Sequence, residues 1–429
     1  MRLWYPLNQN PNLVAFRDRL VTQLAICIFG LNMSFPTKVL VFSLLALLIT
    51  SCASLPERRP IPVEMSDKAT IPGISASARS WADQEFDDEE GLAQLTTNDI
   101  RDSFPALIGQ PLNLLAISGG GPRGAFAAGL LNGWSAAGTR PDFALVTGVS
   151  TGALIAPFAF LGSDYDHVLK EIYTEYSTDD LLKKRSIIKT ITGDAAADTA
   201  PLRNLLADYV DEDLVAAIAA EYKKGKSLYI ITTNLDAMRG VRWDIGYIAA
   251  SDLANATQII RDVMLASASI PGAFPPVMFT VEAEGKLYDE MNVDGAVSTN
   301  MYLYPIEFNA RKFAELVQAE GTPTAYIIRN GFSRGKWESV ERKTIPIAMR
   351  TIQAFFGTVS NGDVYRLYLE TARDGIDYRL AFIPETFEME HDEPFDPEYM
   401  KMLFNLGYEM AKDGYEWELS APDFEEGKE

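Results

Sequence analysis

Cysteine and histidine are almost missing from these 429 residues: Cys27 and Cys52 are the only thiols, His167 and His391 the only imidazoles. A catalytic triad built on histidine must therefore draw on one of two residues, and a thiolate zinc site or a disulfide framework has almost nothing to draw on. Positive charge is also scarce. Against 59 Asp and Glu stand 38 Lys and Arg, a formal charge of −21 that repels phosphate backbones and anionic lipid headgroups at long range and argues against nucleic acid as a partner. Long apolar runs are lacking too. Val39 to Ile49 is eleven residues, about half of what a helix needs to cross a bilayer core, but it suits the hydrophobic region of an export signal. What remains, 47% hydrophobic and 23% charged residues, is ordinary globular material.

The apolar run is preceded by Lys38 and followed by Ile49-Thr50-Ser51-Cys52, a string that resembles the lipobox of bacterial lipoproteins. That resemblance implies diacylglyceryl transfer to Cys52, cleavage before it, and, since Ala53 is not the aspartate of inner-membrane retention, anchoring in the outer membrane. Residues 33–51 then read as the signal peptide. Residues 1–32 would make its basic region far too long, so translation is expected to start at Met33. Loss of residues 1–51 removes Arg2, Arg17, Arg19 and Lys38 against Asp18 and leaves a charge of −24. The acyl chains, not electrostatics, would hold such a protein to a membrane. Since Cys27 lies upstream of the cleavage point, no free thiol would remain for a disulfide, a zinc site or a nucleophile.

Residues 52–110 are rich in Pro, Ser and acidic residues, including Asp87-Asp88-Glu89-Glu90, and read as a tether and loosely structured lead-in. From Leu112 the texture changes. Apolar runs such as LNLLAIS, DFALVTG and SLYIITTN alternate with helical stretches at Arg123 to Ala137 and Thr151 to Leu161. Strand and helix in alternation argue for an α/β fold with a mostly parallel sheet. Asp211 is a plausible N-cap, and further strands are expected at Val241 to Tyr247, Leu287 to Val293, Thr324 to Arg329 and Asp377 to Ile383. A long helix is expected over Pro346 to Ala372, broken near Asn361-Gly362, and another over Pro397 to Lys412. In the former, Ile352, Phe355, Phe356 and Val359 could meet lipid, but their helical spacing favours core packing.

Three motifs carry chemistry. Gly119-Gly120-Gly121-Pro122-Arg123-Gly124 follows a strand and opens a helix, so its N–H groups can converge on an anion. The same letters also satisfy a dinucleotide-binding pattern. That pattern wants an acidic residue at the end of the next strand, whereas Asp142 begins it. Gly148-Val149-Ser150-Thr151-Gly152 again joins strand to helix, where flanking glycines permit a sharp turn that lifts a serine hydroxyl out of the sheet. Asp294-Gly295-Ala296 ends a strand-like segment with a carboxylate. Taken alone, the second motif also reads as a helix cap and the third as a simple turn. His167 lies in a polar surface stretch; His391 follows Ser150 and Asp294 in the chain order of a histidine triad.

Together these residues resemble the patatin-like phospholipase family, as does Ala266-Ser267-Ala268-Ser269-Ile270-Pro271 with Phe274-Pro275-Pro276. The resemblance covers roughly residues 112–310. It implies a three-layer α/β fold with helices on both faces of the sheet, a catalytic domain at 111–310 and an α/β extension of it at 311–429. It further implies a lipid acyl hydrolase in which Ser150 attacks the acyl carbonyl and Asp294 is its base. The loop of Gly119, Gly120, Gly121, Arg123 and Gly124 would form the oxyanion hole. Gly148 and Gly152 would shape the nucleophile turn, and Gly295 and Ala296 would follow the base. Neither metal nor cofactor is required; the partners are a lipid substrate and a membrane reached through Cys52. Two alternatives stay open: a non-catalytic lipid-binding scaffold of the same fold, and a Ser150, Asp294, His391 triad.

Overall fold

The computed structural model describes residues 57–84, 97–186, 190, 193–389 and 393–422, all but Glu57 within the unit Arg58–Glu429. Cys52 and His391 lie outside the described residues, so the expected lipidation site and the alternative third member of a histidine triad have no structural account.

Nine strands form one mixed sheet among the described residues: β1 (Arg79–Trp81), β2 (Asn113–Ile117), β3 (Leu145–Val149), β4 (Ser227–Asn234), β5 (Arg239–Asp244), β6 (Val277–Ala283), β7 (Lys286–Asp294), β8 (Thr324–Phe332) and β9 (Asp377–Ile383). The order is β1-β5-β4-β3-β2-β8-β9, and β4, β3, β2, β8 and β9 run parallel. These central strands are apolar on both faces, as a parallel sheet covered on both sides requires. Leu115 and Ile117 of β2 belong to one buried cluster, Leu114 and Ala116 to another on the opposite face. Helices α1 (Gly124–Ala136), α2 (Thr151–Leu161), α3 (Ala256–Ser267) and α5 (Pro397–Ala411) contribute to the first cluster; α4 (Thr344–Asp374) contributes to the second. The expected three-layer α/β arrangement is therefore present, and β8 and β9 extend the sheet with chain from beyond residue 310.

The edge of β4 positions the site. β3 pairs with β4 up to Val149 opposite Ile231, and β7 arrives antiparallel along the same edge, with Asp294 opposite Thr232. Two strand ends thus meet head-on at adjacent rungs of one partner. Register alone brings residue 150 and residue 294 together.

Four local expectations are corrected. Residues 58–82, read as tether and lead-in, are folded onto the sheet: β1 pairs with β5, and Arg79 makes a buried two-pronged ion pair with Glu290 of β7 at 3.1 and 3.0 Å. A three-residue strand has too little periodicity to read from sequence. The strand expected at Val241 to Tyr247 stops at Asp244, whose carboxylate accepts from the Tyr247 N–H and starts a helix, Ile245–Ala250. The long helix is continuous through Asn361-Gly362, because Arg329 holds the Asn361 side chain and Asp363 accepts from the N–H groups of Asn300 and Met301. Finally, of Ile352, Phe355, Phe356 and Val359, Phe356 packs half-buried against a buried cluster as expected, whereas Phe355 is 47% exposed and Ile352 and Val359 are half-buried outside the described clusters. Asp211 does cap its helix, accepting from the Leu214 N–H.

Candidate active site

Ser150 sits between β3 and α2 with φ 55° and ψ −123°, a conformation that costs an L-residue energy and recurs where a turn aims a nucleophile. The turn is tight enough that a Cβ on Gly152 would lie 2.2 Å from the Ile117 carbonyl oxygen, so only glycine closes it. Gly148, at the other side of the turn, is the last β3 residue paired with Ile117 of β2. The Ser150 hydroxyl donates to Asp294 Oδ2 at 2.7 Å, and the Ala296 N–H donates to Oδ1 at 2.9 Å. Gly295 begins the short 3-10 turn that carries the chain away from the carboxylate. Both partners are buried, Ser150 at 5% and Asp294 at 1% exposure. Burial pushes the Asp294 carboxyl up to about 7, although the bonds from Ser150 and Ala296 pull the other way.

The Ala266 to Pro271 segment holds this pair. The Ser150 N–H donates to Ser267 Oγ at 2.9 Å, Ser267 in turn donates to the Ile231 carbonyl, and the Asp294 N–H donates to the Ser269 carbonyl at 2.9 Å. One short stretch at the end of α3 thereby fixes the backbone of both nucleophile and acceptor.

The glycine loop joins β2 to α1 beside Ser150. Its first N–H, on Gly119, donates to the Asn300 carbonyl at 3.3 Å and is therefore not free for an oxyanion. Among the described residues the N–H groups of Gly120 and Gly121 donate to nothing, and these are the donors the loop can offer. Gly124 is the first residue of α1. Arg123 turns back on the loop, its Nε donating to the Gly120 carbonyl at 3.3 Å.

Two residues beyond the sequence motifs complete the site. Asn330, at the end of β8 and 1% exposed, clamps the loop from behind. Its amide donates to the Ser118 carbonyl at 2.9 Å, its Oδ1 accepts from the Ala127 N–H at 3.2 Å, and its own N–H donates to Ser118 Oγ at 2.7 Å. A Cβ on Gly120 would lie 2.4 Å from the Asn330 carbonyl oxygen, so glycine is required there by close approach. Arg329 is buried beside it, and its guanidinium is pushed down to about 10 by burial and by the nearby Arg123 charge. An Asn-Gly pair near residue 330 reads as a turn; nothing local announces a partner more than two hundred residues upstream. His167 lies exposed on a surface helix, its Nδ1 near the Asp164 carbonyl, and takes no part in the site.

The arrangement is a serine hydroxyl bonded to a buried, proton-hungry carboxylate, next to unengaged backbone N–H donors at a helix start. Among the described residues no cluster of His, Cys, Asp or Glu fits a metal ion. The family model for patatin-like phospholipase matches residues 115–307. Among solved structures, the crystal structure of VipD from Legionella pneumophila aligns at 12% identity over 70% of this chain and 66% of that one, just under two thirds of its length, with a TM-score of 0.36. No curated protein matches the sequence.

Proposed function

Through residues 115–307 this chain belongs to the patatin-like phospholipase family, and on that premise we propose that it hydrolyses acyl esters of lipids through a Ser150–Asp294 dyad. The observation that carries the reading is the 2.7 Å bond from the Ser150 hydroxyl to a carboxylate that burial has made a better base. In this mechanism Asp294 takes the hydroxyl proton as Ser150 Oγ attacks the acyl carbonyl. The oxyanion so formed is met by the N–H groups of Gly120 and Gly121, each worth about 3 kcal/mol where alignment is good. Collapse passes the proton from Asp294 to the departing alcohol and leaves an acyl-Ser150 ester. Water, deprotonated by Asp294, then releases the fatty acid.

The test is fatty-acid release from a panel of phospholipids and short-chain esters by the full chain beside Ser150→Ala, Asp294→Ala and His391→Ala. Activity lost in the first two and kept in the third supports the dyad. Loss in Ser150→Ala and His391→Ala with Asp294→Ala active moves the assignment to a histidine-based site. A wild type that neither hydrolyses the panel nor labels with a fluorophosphonate makes the protein a lipid-binding scaffold.

We also propose that Cys52 carries the lipid anchor of an outer-membrane lipoprotein. Support comes from the sequence around Cys52 alone. Metabolic labelling with a clickable palmitate should mark the wild type and leave Cys52→Ser unmarked; equal labelling would end this reading.

A further inference from the structure

Helix α4 has two halves of different character. From Ser360 onward it is anchored: Val364 and Leu367 are in the core, and Asp363 and Arg366 bond to the backbone of residues 300 and 301. The second half also exposes Tyr365 and Leu369, but in the first half and the loop before it no described residue is buried, and the apolar side chains there face solvent. Trp337 is 90% exposed, Val340 39%, Ile347 48%, Met349 43% and Phe355 47%. Single exposed apolar residues need no explanation, but a run of them along one segment does.

Charge supplies the second observation. Arg342 to Gly362 contains Arg342, Lys343 and Arg350 and no acidic residue, in a chain whose formal charge is −21. With the preceding Arg334, Lys336, Glu338 and Glu341, residues 333–359 carry a local charge of +3. Basic residues interleaved with Trp, Phe, Ile and Met along a loop and the helix it leads into are a composition suited to the headgroup layer of an anionic bilayer. Among the described residues no helix is long and apolar enough to cross a membrane, so this one would lie on the surface.

Position supplies the third. Phe356 packs against the buried cluster of Val149, Ile231, Ala296 and Tyr302, which includes the residue before Ser150 and the second residue after Asp294. The exposed segment therefore adjoins the site itself.

We infer that residues 333–359, the loop before α4 and its first half, form the surface that docks this protein on an anionic lipid bilayer and presents the Ser150 site to it. The inference rests on the lipid hydrolase reading for its purpose. Its geometry is independent of that reading.

Vesicles of phosphatidylglycerol, phosphatidylcholine and their brominated-chain analogues test it, with the full chain carrying Ser150→Ala so that the vesicles survive. Every form shares the same N-terminal region, so differences report on this segment. The Ser150→Ala chain should bind phosphatidylglycerol vesicles at least about tenfold more tightly than phosphatidylcholine. Adding Trp337→Ser, Ile347→Ser and Phe355→Ser, or Arg342→Glu, Lys343→Glu and Arg350→Glu, should abolish that gain. Brominated chains should quench the tryptophan emission, less so after Trp337→Phe. With Ser150 intact, the two triple variants should lose vesicle hydrolysis about tenfold and keep hydrolysis of a monomeric short-chain ester, which also shows that they fold.

Unchanged vesicle binding and hydrolysis in both triple variants overturns the inference. So does a concentration-dependent dimer in sedimentation that the apolar triple variant dissociates, because the segment is then an interface between copies. A parent that hydrolyses neither substrate yet shows the expected vesicle binding removes the hydrolase reading and leaves the docking surface standing.

Discussion

At the scale of single residues the site is a matter of proton affinity. Asp294 must be unprotonated to accept from Ser150, and burial raises its carboxyl to about 7. Activity should therefore rise with pH and level off above about 7, with roughly a tenth of the plateau kcat/KM left at pH 6; a profile flat between pH 5 and 8 would remove Asp294 as the base. Asn330 acts one step back, through the loop. Replacing it with Ala strands the buried Ser118 carbonyl and Ala127 N–H and loosens the Gly120 and Gly121 donors. For Asn330→Ala we expect kcat to fall about 10- to 100-fold with KM little changed, a smaller loss than full removal of a donor pair. Fluorophosphonate labelling rates should fall in step, and an unaltered rate would leave Asn330 a purely structural residue.

At the scale of elements, the segment before the parallel core is tied to the sheet by strand pairing and several ion pairs, of which one is fully buried. Arg79 on β1 and Glu290 on β7 are 4% and 0% exposed at the side chain, and desolvation pulls Arg79 down and Glu290 up against their mutual attraction. Such a pair costs nearly as much to bury as it returns, whereas a single member left behind is uncompensated. Glu290→Ala should thus destabilise by about 3–5 kcal/mol, while Arg79→Met with Glu290→Leu should recover most of it, both measured by denaturant unfolding. A loss in the double variant as large as in the single one would show that the ion pair itself stabilises the fold. Helix α4 illustrates the same dependence on distant partners. Asn361-Gly362 is a credible break in isolation, and Arg329 and Asp363 overrule it.

At the scale of the whole molecule, two carboxyls, Asp294 buried and Asp244 half-buried, are desolvated against their own interest. Asp244, capping a helix inside the sheet's edge, and Asp294 are both raised to about 7 by desolvation. Their folded pKa exceeds the unfolded value of about 3.9, so their contribution to stability is fully present below about pH 4 and is lost as pH rises through 7. Thermal unfolding should accordingly move down by several degrees between pH 4 and 7.5. Asp244→Asn and Asp294→Asn should each flatten that slope and stabilise the protein at pH 8 by on the order of 2 kcal/mol. Slopes identical to the wild type would mean that neither carboxyl holds its proton in the folded state.

Much of this molecule is readable from the chain alone, because the information is local. The alternation of apolar strand and helix from Leu112 onward, the caps, and the glycines at 119–121, 148 and 152 need only their neighbours to act, and they were enough to indicate the α/β layers and the serine, loop and aspartate motifs. The tertiary structure decided what depends on contact between distant residues. It set Val149 and Asp294 on consecutive rungs of β4, took the Gly119 N–H for Asn300, and recruited Asn330 from outside the family match. It folded residues 58–82 onto the sheet and left the apolar first half of α4 facing solvent. Periodicity tells that a helix has an apolar face; whether protein or another phase covers that face depends on where the rest of the chain has gone.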